Sequence, residues 1–264
     1  MANKQDKQQR RRGIYLLPNL FTTAALFAGF YAIVAATKGH FETAAIAIYV
    51  AMLLDGLDGR VARLTNTQSD FGAEYDSLAD MISFGLAPAL VMYEWALSGM
   101  GKLGWLAAFI YTASAALRLA RFNTQVGISD KRYFQGLASP AAAAIVAGMV
   151  WVGDIYVPDG PVLQYTSLVM TLAAGLLMVS NVRYHSFKGI DLKGKVPFMA
   201  MLIIVAVFVL VTYDPPSVLF SIFLVYALSG PVMTLVQLRK RRAERKAHHS
   251  SADEKHESPG NDSE

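Results

Sequence analysis

The chain has 264 residues, of which 54% are hydrophobic and 17% are charged, with a formal net charge of +4. Ordinary globular chains are ~45–50% apolar and ~25% charged, so this composition disfavours a disordered protein and, because the apolar residues cluster, a soluble one. The absence of cysteine excludes a disulfide framework, a thiol nucleophile and a cysteine-based zinc site, and the basic residues lie at the ends and in short segments, so no nucleic acid partner is expected.

Long apolar runs predict eight transmembrane helices, since the ~30 Å core of a bilayer is crossed by ~20 helical residues. The runs lack the alternation of barrel strands, and the predicted fold class is therefore an all-α, polytopic membrane helical bundle. The second and third spans are the least typical because acids and arginines lie at their ends, and the seventh is near the lower length limit. The predicted spans are residues 15–37, 42–64, 72–98, 103–122, 139–157, 162–183, 197–213 and 216–238.

The basic residues predict the orientation of these spans. With eight spans, 22 of the 24 Lys and Arg residues fall on the side of the two termini, and only Lys38 and Lys102 fall on the other. The positive-inside rule then places both termini in the cytoplasm. The expected organisation is a basic cytoplasmic segment (1–14), an integral membrane catalytic domain (15–238) and a disordered, basic-to-polar cytoplasmic tail (239–264).

Four aspartates lie at the predicted cytoplasmic ends of the second and third spans. Asp55 and Asp58 are three residues apart, and Asp76 and Asp80 are four apart, so each pair shares one helix face. Antiparallel helices joined by a short loop can bring the two pairs to one depth. Carboxylates are costly in apolar surroundings and repel one another. A hard divalent cation with oxygen ligands is the expected compensation, and two cations are compatible with four carboxylates.

The spacing of these residues resembles the motif of the CDP-alcohol phosphotransferases, DxxDGxxAR(x)8GxxxDxxxD, and every defining position matches over residues 55–80. The resemblance implies a membrane enzyme of that fold, dependent on Mg²⁺ or Mn²⁺ with Ca²⁺ as an alternative, and it favours a homodimer. By the family pattern Asp55, Asp58 and Asp76 bind metal, while Asp80 joins that site and is the general base. The implied contacts to CDP-diacylglycerol are Asp58, Gly59, Ala62, Arg63 and Gly72.

The acceptor alcohol is suggested by other segments. Residues 117–143 resemble the bacterial phosphatidylserine synthases of this family, and so do residues 178–188 and 18–22. Ala138 and Ala25 depart from the usual proline and asparagine of that group. The resemblance implies transfer of a phosphatidyl group from CDP-diacylglycerol to L-serine, giving phosphatidylserine and CMP, in the bacterial inner membrane with the active site facing the cytoplasm.

L-Serine carries a carboxylate and an ammonium beside its hydroxyl, so its pocket should contain basic side chains and oxygen acceptors. A positive-inside loop explains each basic residue of the segment after span four equally well. Ser180, Asn181 and Arg183 are similar candidates near the end of span six. The serine-binding candidates are Arg118, Arg121, Asn123, Lys131 and Gln135.

Other functions remain open at this point. Within the same enzyme class the acceptor could be glycerol 3-phosphate, inositol or inositol phosphate. In a different class, the four aspartates could be the binding site of a divalent-cation transporter, although the apolar runs 44–52 and 86–92 disfavour a polar route through the membrane. Two further acids are expected to lie outside the site: Asp70 as a loop or cap residue, and Glu74 because it faces away from Asp76.

Overall fold

The computed structural model describes residues 2–65, 67, 69–125, 133–158, 160–185 and 198–256. This part of the chain forms eight long helices, which confirms the predicted all-α class. They are α1 (Ala2–Thr37), α2 (Phe41–Thr65), α3 (Asp70–Met100), α4 (Lys102–Gln125), α5 (Ser139–Tyr156), α6 (Pro161–Val179), α7 (Phe198–Tyr213) and α8 (Pro215–His256).

Six of the described helices are long and apolar enough to cross a membrane, namely segments of α1, α3, α4, α5, α6 and α8. The second predicted span, α2, is not among them because acids and arginines occupy its second half. The seventh, α7, has only 16 residues. The chain is an integral membrane protein in which these two helices are the atypical members, as their sequences predict.

Small side chains form most of the core. Ala32, Ala44, Ala45 and Ala142 are fully buried where α1, α2 and α5 meet. Small residues let membrane helices approach closely, so van der Waals contact between backbones stabilises the bundle. Helix α5 packs against α2, α6 and α8 and is therefore central, whereas α7 exposes large apolar side chains around its circumference and packs chiefly against α8.

Helix α3 is not a uniform α-helix, although its sequence predicts one continuous span. It begins at an N-cap, where Ser69 Oγ accepts a 3.0 Å hydrogen bond from Gly72 N, and it contains π-helical turns at Met81–Leu86 and Tyr93–Leu97. Pro88 has no N–H to donate to the Phe84 carbonyl four residues earlier. That carbonyl accepts the Tyr111 hydroxyl of α4 at 3.1 Å instead. The first π-helical turn directly follows Asp80, one of the predicted metal ligands.

Two short strands add a feature that the sequence did not predict. Strand β1 (Tyr133–Gln135) pairs antiparallel with β2 (Arg183–His185). The sixth span was predicted to continue to residue 183, but α6 ends at Val179 and the chain then enters β2. Gly136 follows β1 with φ of +78°, and a Cβ there would overlap the Met178 carbonyl, so glycine is required at this close approach.

The described ends of the chain are helical, which differs from expectation for the tail. Helix α1 begins at Ala2, within the basic segment 1–14. The backbone of α8 continues to His256, so the tail predicted as disordered from residue 239 is helical that far. Arginine, lysine, alanine and glutamate dominate residues 239–246, and all four favour helix. Residues 257–264 lie outside the described part of the chain.

Candidate active site

Three of the four predicted acids converge between α2 and α3. One carboxylate oxygen from each of Asp55, Asp76 and Asp80 lies within 4.8 Å of the other two. The four-residue spacing places Asp76 and Asp80 on one face of α3, opposite the end of α2. Asp76 Oδ1 is buried and has no hydrogen-bond partner among the described residues. An unpaired buried carboxylate oxygen beside two further carboxylates fits a hard divalent cation.

The fourth acid, Asp58, is not a member of this close group. Its side chain is 6% exposed, and its Oδ2 accepts a 2.7 Å hydrogen bond from Thr22 Oγ1 of α1. Asp58 and Asp76 are close enough to repel each other electrostatically. The acids therefore form a cluster of three with Asp58 beside it, rather than four equivalent groups.

A cavity of about 380 Å³ lies between α1, the end of α2 and the start of α3. Asp76 belongs both to the wall of this cavity and to the acid cluster, so a ligand in the cavity can reach the acids. At Gly59 no atom lies within 4 Å of the position that a Cβ would take, so glycine leaves this wall open. The lining residues are Pro18, Asn19, Thr22, Asp58, Gly59, Ala62, Thr67, Ser69, Asp70, Gly72, Ala73 and Asp76.

Four of the predicted CDP-diacylglycerol contacts line this cavity, namely Asp58, Gly59, Ala62 and Gly72. Arg63 is the exception, because its side chain is exposed and its Nε donates a 2.8 Å hydrogen bond to the Gly59 carbonyl of its own helix. Arg63 directly follows Ala62, a lining residue, so its positive charge stays close to this wall of the cavity. A direct contact between Arg63 and the nucleotide stays a prediction.

Helix α1 and the loop before α3 contribute to the cavity, although the motif does not indicate this. Pro18, Asn19 and Thr22 line the cavity, and in the sequence they belong to a segment identified by resemblance alone. Polar residues three apart at the start of an apolar span were the available signal. Asp70, expected to lie outside the site, is also a lining residue because it begins α3 directly after the cap. Glu74 is exposed, as expected.

The acceptor candidates on α4 lie against the same end of the bundle. Arg118 Nη1 donates a 2.5 Å hydrogen bond to Ser139 Oγ at the start of α5, and its charge interacts with Asp80. The Nε atom of Arg118 is buried without a hydrogen-bond partner in the described part of the chain. Asn123 Nδ2 donates a 3.0 Å hydrogen bond to Ser77 Oγ, next to Asp76.

The other described acceptor candidates, Arg121 and Gln135, have different surroundings. Arg121 Nη1 donates to the Val179 carbonyl at 3.1 Å and to Asn181 Oδ1 at 3.4 Å. Gln135 is exposed at the end of β1. Lys131 lies outside the described residues. The structure thus brings Arg118 and Asn123 to α3, while Arg121 ties α4 to the end of α6.

The sequence of the chain is similar to those of known proteins. Residues 15–179 match the family model described as CDP-alcohol phosphatidyltransferase. The chain is 37% identical over 227 residues to the CDP-diacylglycerol–serine O-phosphatidyltransferase of Helicobacter pylori, covering 85% of this chain and 94% of that one. It is 38% identical over 140 residues to the enzyme of the same name from Methanocaldococcus jannaschii, covering 53% of this chain and 62% of that one.

Solved structures are also similar to the chain. A phosphatidylinositol phosphate synthase from Mycobacterium tuberculosis with CDP-DAG bound aligns with a TM-score of 0.48 and 23% identity, covering 65% of this chain and 88% of that one. The same synthase in complex with manganese and citrate aligns with a TM-score of 0.48 and 19% identity, covering 68% of this chain and 85% of that one.

Proposed function

The chain belongs to the CDP-alcohol phosphatidyltransferase family, and from this membership we propose that it transfers the phosphatidyl group of CDP-diacylglycerol to L-serine, releasing CMP. The observation that carries the proposal is the shared position of Asp76, in the wall of the cavity and in the acid cluster. A nucleotide held in the cavity would have its diphosphate beside these acids. The names of the relatives from Helicobacter pylori and Methanocaldococcus jannaschii favour serine as the acceptor.

The acids are the proposed metal ligands. Asp55, Asp76 and Asp80 would hold a divalent cation, with Asp58 beside them for a second one. Mg²⁺ or Mn²⁺ is expected, with Ca²⁺ as the alternative, because carboxylate oxygens suit hard cations. When bound, such a cation supplies positive charge that neutralises the diphosphate and polarises its phosphorus.

The residues of the chain then account for the proton and the orientation of the acceptor. Asp80 accepts the proton of the serine hydroxyl as general base. The serine oxygen forms a bond to the phosphorus that carries diacylglycerol, and the bond between that phosphorus and the CMP oxygen breaks. CMP leaves as an anion. The electrostatic interaction between Asp80 and the Arg118 guanidinium supports this role, because an acceptor bound by Arg118 would lie beside Asp80.

The Arg118 guanidinium beside Asp80 suits the carboxylate of a serine acceptor. Arg118 has a buried Nε without a partner among the described residues, which leaves a donor for an acceptor carboxylate. Arg121, Asn123, Lys131 and Gln135 complete the proposed acceptor segment. The proposed setting is the bacterial inner membrane with both termini and the active site on the cytoplasmic side, and the proposed assembly is a homodimer.

The experiment is a CMP-release assay on the purified full-length protein with CDP-diacylglycerol and Mg²⁺ or Mn²⁺. Serine, glycerol 3-phosphate and inositol are offered separately, and the lipid product is identified by mass spectrometry. We expect CMP and phosphatidylserine only when serine is the acceptor offered. Faster release with glycerol 3-phosphate or inositol would contradict the serine assignment. Divalent-cation flux in proteoliposomes, without CMP release from CDP-diacylglycerol in the presence of any acceptor, would instead support a transporter.

A further inference from the structure

A buried tyrosine of β2 joins this strand to the last helix. The Tyr184 side chain is 0% exposed, and its hydroxyl donates a 3.0 Å hydrogen bond to the Ala227 carbonyl of α8. Its ring packs against Tyr226 with the centroids 5.5 Å apart. A Cβ at Gly230 would overlap the Tyr184 ring, so glycine makes room for it one turn further along α8. We call Tyr184, Tyr226, Ala227 and Gly230 the tyrosine lock.

The paired strands β1 and β2, with the backbone hydrogen bonds that follow β1, connect the tyrosine lock to the start of α5. We call this connection the ladder. Tyr184 pairs with Phe134 of β1. Directly after β1, Gly136 N donates to the Val182 carbonyl at 2.9 Å and Leu137 N donates to the Leu177 carbonyl at 3.0 Å. These hydrogen bonds hold the segment between β1 and α5 against the end of α6. A shift of β2 relative to α8 would therefore move the first residues of α5.

The ladder holds the start of α5 and the end of α6, and these two segments also accept hydrogen bonds from the arginines of α4. Arg118 donates to Ser139, three residues after Gly136, and Arg121 donates to the Val179 carbonyl. Arg118 also interacts electrostatically with Tyr226 inside the tyrosine lock. The tyrosine lock is therefore connected to Arg118 through the hydrogen bonds of the ladder and through the electrostatic interaction with Tyr226 of α8. The charge of Arg118 in turn interacts with the carboxylate of Asp80, the proposed general base.

We propose that Tyr184 is a positioning residue for the acceptor pocket, because it fixes the ladder on α8 and thereby holds Arg118 in the orientation that binds the acceptor alcohol. This inference rests on the proposed function, in which Arg118 faces the acceptor. It also assigns a role to residues beyond the segment 15–179 that matches the family model. Strand β2 and helix α8 both lie outside that segment, so the acceptor pocket depends on a part of the chain that the family match does not include.

The test uses Tyr184→Phe, which removes the hydroxyl and keeps the ring, and Gly230→Ala, which pushes a methyl group into the ring. The full-length variants are assayed for CMP release, with the acceptor and CDP-diacylglycerol varied in turn. Loss of one hydrogen bond should raise the KM for the acceptor about three- to tenfold, while the KM for CDP-diacylglycerol stays within about twofold. Tyr165→Phe, on the exposed side of α6, is the matched control and should leave both constants unchanged.

The combined variant tests whether the two substitutions act through the same contact, and the comparison of the two KM values separates positioning from general loss of structure. Since both substitutions disturb one contact, Tyr184→Phe with Gly230→Ala should raise the acceptor KM by less than the product of the single effects. An equal rise in both KM values, or no change in either, would overturn the inference. If the wild-type protein uses glycerol 3-phosphate or inositol, the serine assignment fails, but the expected rise in KM then applies to that acceptor and still tests the tyrosine lock.

Discussion

Thr22 Oγ1 of α1 donates a 2.7 Å hydrogen bond to Asp58 Oδ2 of α2, and both side chains are buried at the wall of the cavity. A hydrogen bond to a charged group contributes about 1.5–3 kcal/mol, and removing one partner leaves the other unsatisfied. The bond fixes the Asp58 carboxylate next to Asp76. Helix α1, which carries none of the motif, thereby takes part in the arrangement of the acids.

Thr22→Val keeps the shape of the side chain and removes the donor. We expect the KM for CDP-diacylglycerol to rise about tenfold or more, because the Asp58 carboxylate loses its fixed orientation at the cavity wall. CMP-release kinetics with saturating acceptor measure this constant. Thr22→Ser, which retains the hydroxyl, should restore most of the affinity, and Thr37→Val at the other end of α1 is the control. An unchanged KM in Thr22→Val would show that the bond has no role in the site.

Removal of the divalent metal should abolish activity, and loss of one carboxylate from the close cluster should lower it strongly. Asp55→Asn takes one carboxylate from the close cluster, so turnover should fall by more than about 100-fold, the range that loss of an outer partner of a metal ligand already reaches. The measurement is CMP release over a titration of Mg²⁺ and Mn²⁺ after chelation. Glu74→Gln, exposed on α3, is the control. Full activity after exhaustive chelation would refute the metal site.

The sequence predicts the acid cluster because the information is local. Asp55, Asp76 and Asp80 lie at fixed helical spacings on two helices that a short loop makes antiparallel, so convergence follows from geometry. The contact between Thr22 and Asp58 joins residues 36 positions apart on different helices, and no periodicity encodes which faces of two apolar helices meet. The same holds for Tyr184, whose anchor on α8 depends on tertiary packing around Gly230.

At two places the sequence predicts a continuous helix that the structure interrupts or ends earlier. Proline at 88 and the Tyr111 hydroxyl stabilise a widened turn in α3 that hydrophobicity alone does not indicate. The sixth span was predicted to reach residue 183, but α6 ends at Val179, where Ser180 and Asn181 interrupt the apolar run, and the chain continues into a strand whose partner lies about 50 residues earlier in sequence. The pattern of a single sequence does not predict this pairing, because the two strands are short and about 50 residues apart.

The α4 arginines should select the acceptor rather than the nucleotide. Arg118→Ala removes the buried guanidinium near Asp80, and we expect the KM for serine to rise by about tenfold or more while the KM for CDP-diacylglycerol changes by less than about twofold. Initial rates with each substrate varied in turn provide the measurement. Lys102→Ala, at the opposite end of the same helix, is the control. Equal effects on both substrates would make Arg118 a phosphate contact instead.

Both termini should lie on one side of the membrane, because 22 of the 24 Lys and Arg residues fall there in the eight-helix arrangement. Reporter fusions after Gln237 and at Lys102 should therefore report opposite sides. A fusion at Gly160, between α5 and α6, should agree with the one at Lys102. If the fusions at Gln237 and Lys102 report the same side, α7, the atypical helix between these two positions, does not cross the membrane.

Asp80 should act as the general base in addition to its place in the acid cluster. It is the last acid of the motif, it directly precedes the π-helical turn of α3, and Arg118 lies in its electrostatic environment. Asp80→Asn keeps the size of the side chain and its capacity to hydrogen-bond, but it cannot take the hydroxyl proton. Loss of a general base typically costs about 10²–10⁴-fold in rate, so turnover should fall in that range while CDP-diacylglycerol still binds.

Two measurements on one preparation of Asp80→Asn separate the base from a metal ligand. Isothermal titration with CDP-diacylglycerol should give an affinity near that of the wild-type protein, and CMP release should be slow at every metal concentration. Asp70→Asn, at the cavity wall but outside the acid cluster, provides the comparison, since it should lower nucleotide affinity more than turnover at saturation. If affinity and turnover of Asp80→Asn fell together and higher Mg²⁺ or Mn²⁺ restored both, Asp80 would be a metal ligand only. The proton of the acceptor would then have to pass to a different group of the site.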